Sequence, residues 1–313
     1  MKIFADGALT RRSRLLLTAC LALGLAACNG AGGGGSSAAA EAPARAGGLQ
    51  AGTGRFPLAG WGGPTVPVWT YIPSLQRAAQ LPIVIVMHGT GRDADRYLAE
   101  WVPHARERDF IVLVPEFSKK SFAGAEAYNL GNVFGSSGRQ LQDEALWSFS
   151  AIEPLFSEVV ERLGGSQTRY TLYGHSAGSQ FVHRFLYYKP GARVKRYIPA
   201  NAGWYTMPDF AEAYPYGLLG AGIDEEALKL ALQKDVALLL GDGDTDINHS
   251  SLRRTPPAMR QGAHRFARGQ IFFERARQKA VELEVPFGWR LGVVRGASHS
   301  NGQMAAAAAK LVY

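Results

Sequence analysis

The chain has 313 residues, 47% of them hydrophobic and 19% charged, and 34 Lys and Arg against 26 Asp and Glu give a formal charge of +8. That balance is ordinary for a globular protein and excludes a disordered chain, a collagen-like repeat and a coiled coil. Two cysteines, Cys20 and Cys28, leave the body of the chain without a disulfide framework or a cysteine-based zinc site.

Arg11, Arg12 and Arg14 precede an apolar run from Leu15 to Ala27, the basic and hydrophobic regions of an export signal peptide over residues 1–27. The run is too short to span a bilayer comfortably, which takes about 20 residues. It ends in Leu25-Ala26-Ala27-Cys28, which resembles the lipobox of bacterial lipoproteins. The resemblance implies cleavage before Cys28, a lipid anchor on its thiol, and a place in the bacterial cell envelope, at the outer membrane or periplasm rather than the inner membrane. Residues 28–54 are nearly all Gly, Ala and Ser and read as a flexible tether. Residues 55–313 remain as one domain, large enough for a full core.

From Phe56 onward, apolar runs alternate with amphipathic segments. Strands are expected at Leu81–Met87, Phe110–Val114, Tyr170–Tyr173, Tyr197–Ala200, Val236–Leu240 and Trp289–Val294. Helices are expected at Ala94–Arg106, Leu146–Leu163, Ala177–Tyr188, Glu225–Gln233 and Gln270–Leu283. This alternation predicts an α/β fold, a mostly parallel central sheet with helices on both faces. In such sheets chemistry gathers at the carboxyl ends of the strands.

The third expected strand runs into Gly174-His175-Ser176-Ala177-Gly178 and then a helix. G-x-S-x-G in a strand–turn–helix context is the signature of a nucleophile elbow, which points to Ser176 as nucleophile. A serine hydroxyl needs an oriented base, and His299 is the only histidine after the last strand. His249 and His264 are competitors, read as loop residues, and His175 is read as packing beside the serine. The acid lies in Gly241-Asp242-Gly243-Asp244-Thr245-Asp246. Asp244 is preferred, with Asp242 and Asp246 left open. Chain order Ser, Asp, His then fits a hydrolytic triad. An oxyanion hole needs two backbone N–H groups. Ala177 supplies one, and the turn His88-Gly89-Thr90-Gly91 supplies the other through Thr90, with Gly91 as alternative. His88 is read as structural.

These motifs together resemble the α/β-hydrolase superfamily across Pro64 to Tyr313. Within it the chain is similar to secreted polyhydroxybutyrate-depolymerase and feruloyl-esterase-like proteins. The resemblance implies hydrolysis of a small-molecule or polymeric carboxylic ester through an acyl-enzyme on Ser176, with no metal and no organic cofactor. Trp204 and Tyr205, after the fourth expected strand, are the candidate substrate-pocket residues.

The segment Arg253–Arg295 carries ten basic residues against Glu274, Glu282 and Glu284. It motivates a second reading, in which the same triad cleaves amides in an anionic polyamide or peptide. The alternative for the segment itself is a solvated helix face. Nucleic-acid binding has no supporting motif. A non-catalytic envelope scaffold is the reading from another class, and the oligomeric state is not legible.

Overall fold

A computed structural model describes residues 48–135 and 140–313. The expected export signal, Cys28 and the expected tether up to residue 47 lie outside the described residues. Among the described residues eight strands form one sheet: β1 (Gly52–Leu58), β2 (Val66–Ile72), β3 (Ile83–Met87), β4 (Ile111–Pro115), β5 (Tyr170–His175), β6 (Val194–Ala200), β7 (Val236–Gly241) and β8 (Trp289–Val294). Their order is β1-β2-β4-β3-β5-β6-β7-β8. β3 to β8 run parallel, while β1 and β2 pair antiparallel at one edge.

The continuous apolar runs become strands because both faces of the sheet are covered. In β3, Ile83, Ile85 and Met87 point into one core and Val84 and Val86 into the other, so alternation with polar residues disappears. β1 and β2 were not anticipated. β1 alternates exposed and buried positions at the sheet edge and starts with Gly52, Thr53 and Gly54. These three belong to the sheet, not to the tether: they pair with Ile72, Tyr71 and Thr70. Backbone pairing overrides a composition that reads as linker.

The helices are α1 (Leu75–Ala78), α2 (Ala94–Arg108), α3 (Ile152–Arg162), α4 (Ala177–Tyr188), α5 (Glu225–Gln233), α6 (Pro256–Arg260), α7 (Arg265–Glu282) and α8 (Asn301–Ala308). α2 and α8 cover one face through Tyr97, Trp101 and Met304. Leu155, Phe181, Leu228 and Phe272, on α3, α4, α5 and α7, cover the other. The helix expected from Leu146 begins at Ile152, behind two 3-10 turns. Pro154 then falls in its first turn, where no N–H is needed. α7 begins five residues before the expected Gln270. His264 caps it, its ring nitrogen accepting the Ala267 N–H.

Candidate active site

The turn between β5 and α4 is forced by close approach. A Cβ on Gly174 would lie 2.2 Å from the Gly178 carbonyl oxygen, and one on Gly178 would lie 2.0 Å from that of Met87. The first turn of α4 is therefore pressed onto the end of β3, and only glycine fits at both places. Between them Ser176 adopts φ 58° and ψ −116°, a strained backbone for a residue with a side chain. Its N–H is held by the Ala200 carbonyl at 3.1 Å.

Two further strand ends reach it. His299, beyond β8, places Nε2 3.0 Å from Ser176 Oγ and Nδ1 2.7 Å from Asp244 Oδ2. The three residues are thus brought into one hydrogen-bonded line. Nδ1 carries the proton toward the carboxylate, so Nε2 is left as acceptor for the serine hydroxyl. Burial lowers the His299 pKa below the ordinary imidazole value. The Asp244 carboxylate opposes that shift, and Arg265 and His249 add to it.

The other two aspartates turn away. Asp242 accepts the Gly296 N–H at 2.6 Å, and Asp246 accepts the Asn248 N–H at 2.8 Å; both are exposed. Asp244 is 2% exposed, and its second oxygen, Oδ1, lies 3.3 Å from Arg265 Nη1. Asn201 also stands at this junction. Its side chain accepts the Gly241 N–H at 2.8 Å and donates to the Ser298 carbonyl at 3.1 Å, joining the acid and histidine loops. Neither Arg265 nor Asn201 was anticipated. Asn201 could have been suspected from its place at the end of β6, but Arg265 carried no local signal.

Thr90 and Gly91 line the cleft over Ser176. Among the described residues, neither the Thr90 nor the Ala177 N–H is paired with a backbone carbonyl of the surrounding turns. His88 ties this turn to the segment after β4. Its Nδ1–H donates to the Gly89 carbonyl at 3.1 Å, its Nε2 accepts the Phe117 N–H at 3.0 Å, and its carbonyl accepts the Tyr128 hydroxyl at 2.6 Å. Burial pushes its pKa down to about 4.

The cleft holds about 310 Å³, and Thr90, Asp93, Arg96, Ser251, Ser300 and Asn301 give it a polar wall with no aliphatic side chain. Trp204 and Tyr205 are not part of it. Tyr205 is fully buried and stacks on Phe272 at 4.4 Å, with its backbone N–H and carbonyl both held by Gln261. Trp204 packs under the guanidinium groups of Arg184 and Arg253, at 4.3 and 5.0 Å, and borders a separate cavity with Phe134 and Tyr214. The chain after β6 turns inward against α4 and α7, which is why these aromatics serve the core.

The basic segment does not form one cationic face. Arg265 and Arg268 are buried, and Arg260, Arg277, Lys279 and Arg290 pair with Glu212, Glu274, Glu282 and Asp235.

A mostly parallel sheet with a serine on a strained strand-to-helix turn and an Asp–His pair just after β7 and β8 defines an α/β-hydrolase, and the chain belongs to that superfamily. It is similar to poly(aspartic acid) hydrolase-1 from Sphingomonas sp. KT-1, with 44% identity, a TM-score of 0.81, and coverage of 84% of this chain and 99% of that one. It is also similar to LpqC, a poly(3-hydroxybutyrate) depolymerase from Bordetella parapertussis, at 32% identity and a TM-score of 0.79 over 84% and 91% of the two chains. An S-formylglutathione hydrolase from Agrobacterium tumefaciens shares the fold alone, at 16% identity and a TM-score of 0.55 over 83% and 92%. No protein-family model matches the chain, and no curated protein does.

Proposed function

We propose that this protein is a serine hydrolase that cleaves acyl bonds in a polar, anionic polyamide of the poly(aspartic acid) kind. Ser176 Oγ attacks the carbonyl carbon as its proton passes to His299 Nε2, and Asp244 stabilises the imidazolium that forms. The Thr90 and Ala177 N–H groups receive the negative charge of the tetrahedral intermediate. Collapse expels the amine, which takes its proton from His299, and leaves an acyl group on Ser176. Water, deprotonated by the same imidazole, then frees the carboxylate and restores the serine.

The observation that carries the substrate class is the polar wall of the cleft. A polyester of hydrocarbon units would find little apolar lining there, Tyr97 apart, whereas the hydroxyls of Thr90 and Ser300 offer partners to amide groups. The likeness to a poly(aspartic acid) hydrolase supports the same reading. Ester cleavage, the first expectation from sequence, stands second and is favoured by the likeness to a depolymerase of poly(3-hydroxybutyrate). Product release from poly(aspartic acid), poly(3-hydroxybutyrate) and a short activated ester separates the two. Faster turnover of the polyester overturns the polyamide reading. Turnover by Ser176→Ala equal to that of wild type overturns both, and no turnover above background in either favours a non-catalytic scaffold.

We also propose that a lipid on Cys28 holds the enzyme to the bacterial envelope. Incorporation of labelled palmitate that disappears in Cys28→Ala tests the anchor.

A further inference from the structure

Most of the cations between Arg253 and Arg295 are spent on neighbouring carboxylates or carbonyls, but one of them faces the triad. Arg265 opens α7, is 2% exposed, and lies 3.3 Å through Nη1 from Asp244 Oδ1, on the side of the carboxylate that His299 does not use. Its Nη2 donates to Ser251 Oγ at 2.9 Å and lies 3.3 Å from His249 Nδ1. The next residue, Phe266, donates its N–H to the Asp244 carbonyl at 3.2 Å. The start of α7 thus grips the acid by backbone and side chain, and through Ser251 it grips one wall of the cleft.

The geometry points to Arg265 as a positioning residue for the triad acid, one that fixes the Asp244 carboxylate toward His299 and offsets its charge. The inference rests on the reading of Ser176, His299 and Asp244 as a catalytic triad. A buried carboxylate with a single partner rotates and leaves its second oxygen unsatisfied, at a cost in both stability and alignment. With Arg265 in place, one oxygen is occupied and the other is aimed at the imidazole. The charge has a separate effect. A carboxylate beside an imidazole favours imidazolium, and a guanidinium behind that carboxylate counteracts it. His299 therefore stays unprotonated, as a base must, to a lower pH. The other charged and titratable groups around it are His249, on the same loop as Asp244, His175 at the end of β5, and Asp93 and Arg96 across the cleft on the α2 side. None of them contacts the Asp244 carboxylate.

The test is the pH profile of kcat/KM on a short activated ester for wild type, Arg265→Gln and Arg265→Lys, with Ser176→Ala as reference. Arg265→Gln is expected to lose about 10²-fold in kcat/KM through misplacement of the acid. Its acid limb should move up by about one pH unit as the opposing charge is lost. Arg265→Lys, which keeps the charge without the fork, should restore the limb but only part of the rate. A variant that is merely less stable loses rate without moving the limb, so an unmoved midpoint in Arg265→Gln overturns the inference. The wild type gives a check that needs no variant to fold. Its acid limb should lie below about 6.5, the value of a free imidazole. A wild-type midpoint above about 7 would mean that the Asp244 carboxylate acts unopposed, and overturns the inference as well. If wild type and Ser176→Ala are equally active, it is the triad reading that fails.

Discussion

The rings of His175 and His299 lie with centroids 4.7 Å apart and tilted by 42°, yet only His299 reaches the Ser176 hydroxyl. His175 is directed at Tyr97, with Nδ1 3.1 Å from the phenol oxygen. Burial lowers its pKa well below the ordinary value, and His299, Arg96 and Arg265 add to that. Burial acts on both imidazoles in the same direction, and contact divides them: His299 alone lies between Asp244 and the Ser176 hydroxyl.

His299→Ala should consequently lower kcat by about 10⁴-fold on a short activated ester. His175→Asn, which keeps a polar partner for Tyr97, should cost about tenfold at most. Steady-state kinetics of the two variants decide this. Comparable losses in both would mean that His175 takes part in proton transfer.

Stability should fall in acid. His88 and His183 are buried and neutral, and each accepts a backbone N–H through Nε2, from Phe117 and Thr206. Burial holds the His88 pKa at about 4 and that of His183 well below the ordinary value. In the unfolded chain both titrate near 6.5. Below that pH the unfolded state takes up protons that the folded state refuses, so stability is full above about 6.5 and declines toward pH 4. His88 alone accounts for roughly 3 kcal/mol across that window. Thermal unfolding between pH 8 and pH 4.5 should show Tm constant at the upper end and falling steadily below about 6.5. A flat Tm down to pH 4.5 would contradict the neutral buried histidines.

Ser176 stores backbone strain that a glycine would release. Ser176→Ala and Ser176→Gly both remove the hydroxyl, so neither should be labelled by a fluorophosphonate. At φ 58° and ψ −116°, however, only glycine lacks the Cβ that makes the conformation costly. Ser176→Gly should be the more stable of the pair by about 1 kcal/mol in urea unfolding. The opposite order would mean that the elbow is not strained at this residue.

Trp204 belongs to the packing around Arg184 and not to the cleft. Trp204→Ala should lower stability by about 3 kcal/mol, as expected for truncating a buried aromatic. kcat on a short ester should change by no more than about threefold, since nothing that touches Ser176 or His299 is altered. A collapse of kcat in a variant that remains folded would place Trp204 in the catalytic path.

Much of the architecture is carried by short stretches of chain. β3, β4 and β7 are recognisable because strands covered on both faces are written as unbroken apolar runs. β1 and β2 are not, because an edge hairpin starting with Gly-Thr-Gly has its identity conferred by the partner strand. α8 follows the same logic. Its alanine-rich stretch has almost no polar face, and it is a helix because α2 and the sheet cover it.

By itself the sequence pointed to the candidate nucleophile and the candidate base. G-x-S-x-G between a strand and a helix is a local steric requirement, and His299 is the only histidine after the last strand. Which aspartate turns inward was decided only in the folded chain, where Asp242 and Asp246 find backbone N–H groups at the surface and Asp244 alone is buried beside His299. The fate of the basic segment was decided there too. Ten positive charges in sequence read as one patch, but a charge acts through what surrounds it. In space most of these are paired or buried, and Arg265 stands behind the triad acid. Local geometry can be written in a few residues, whereas burial and charge pairing belong to contacts between distant parts of the chain.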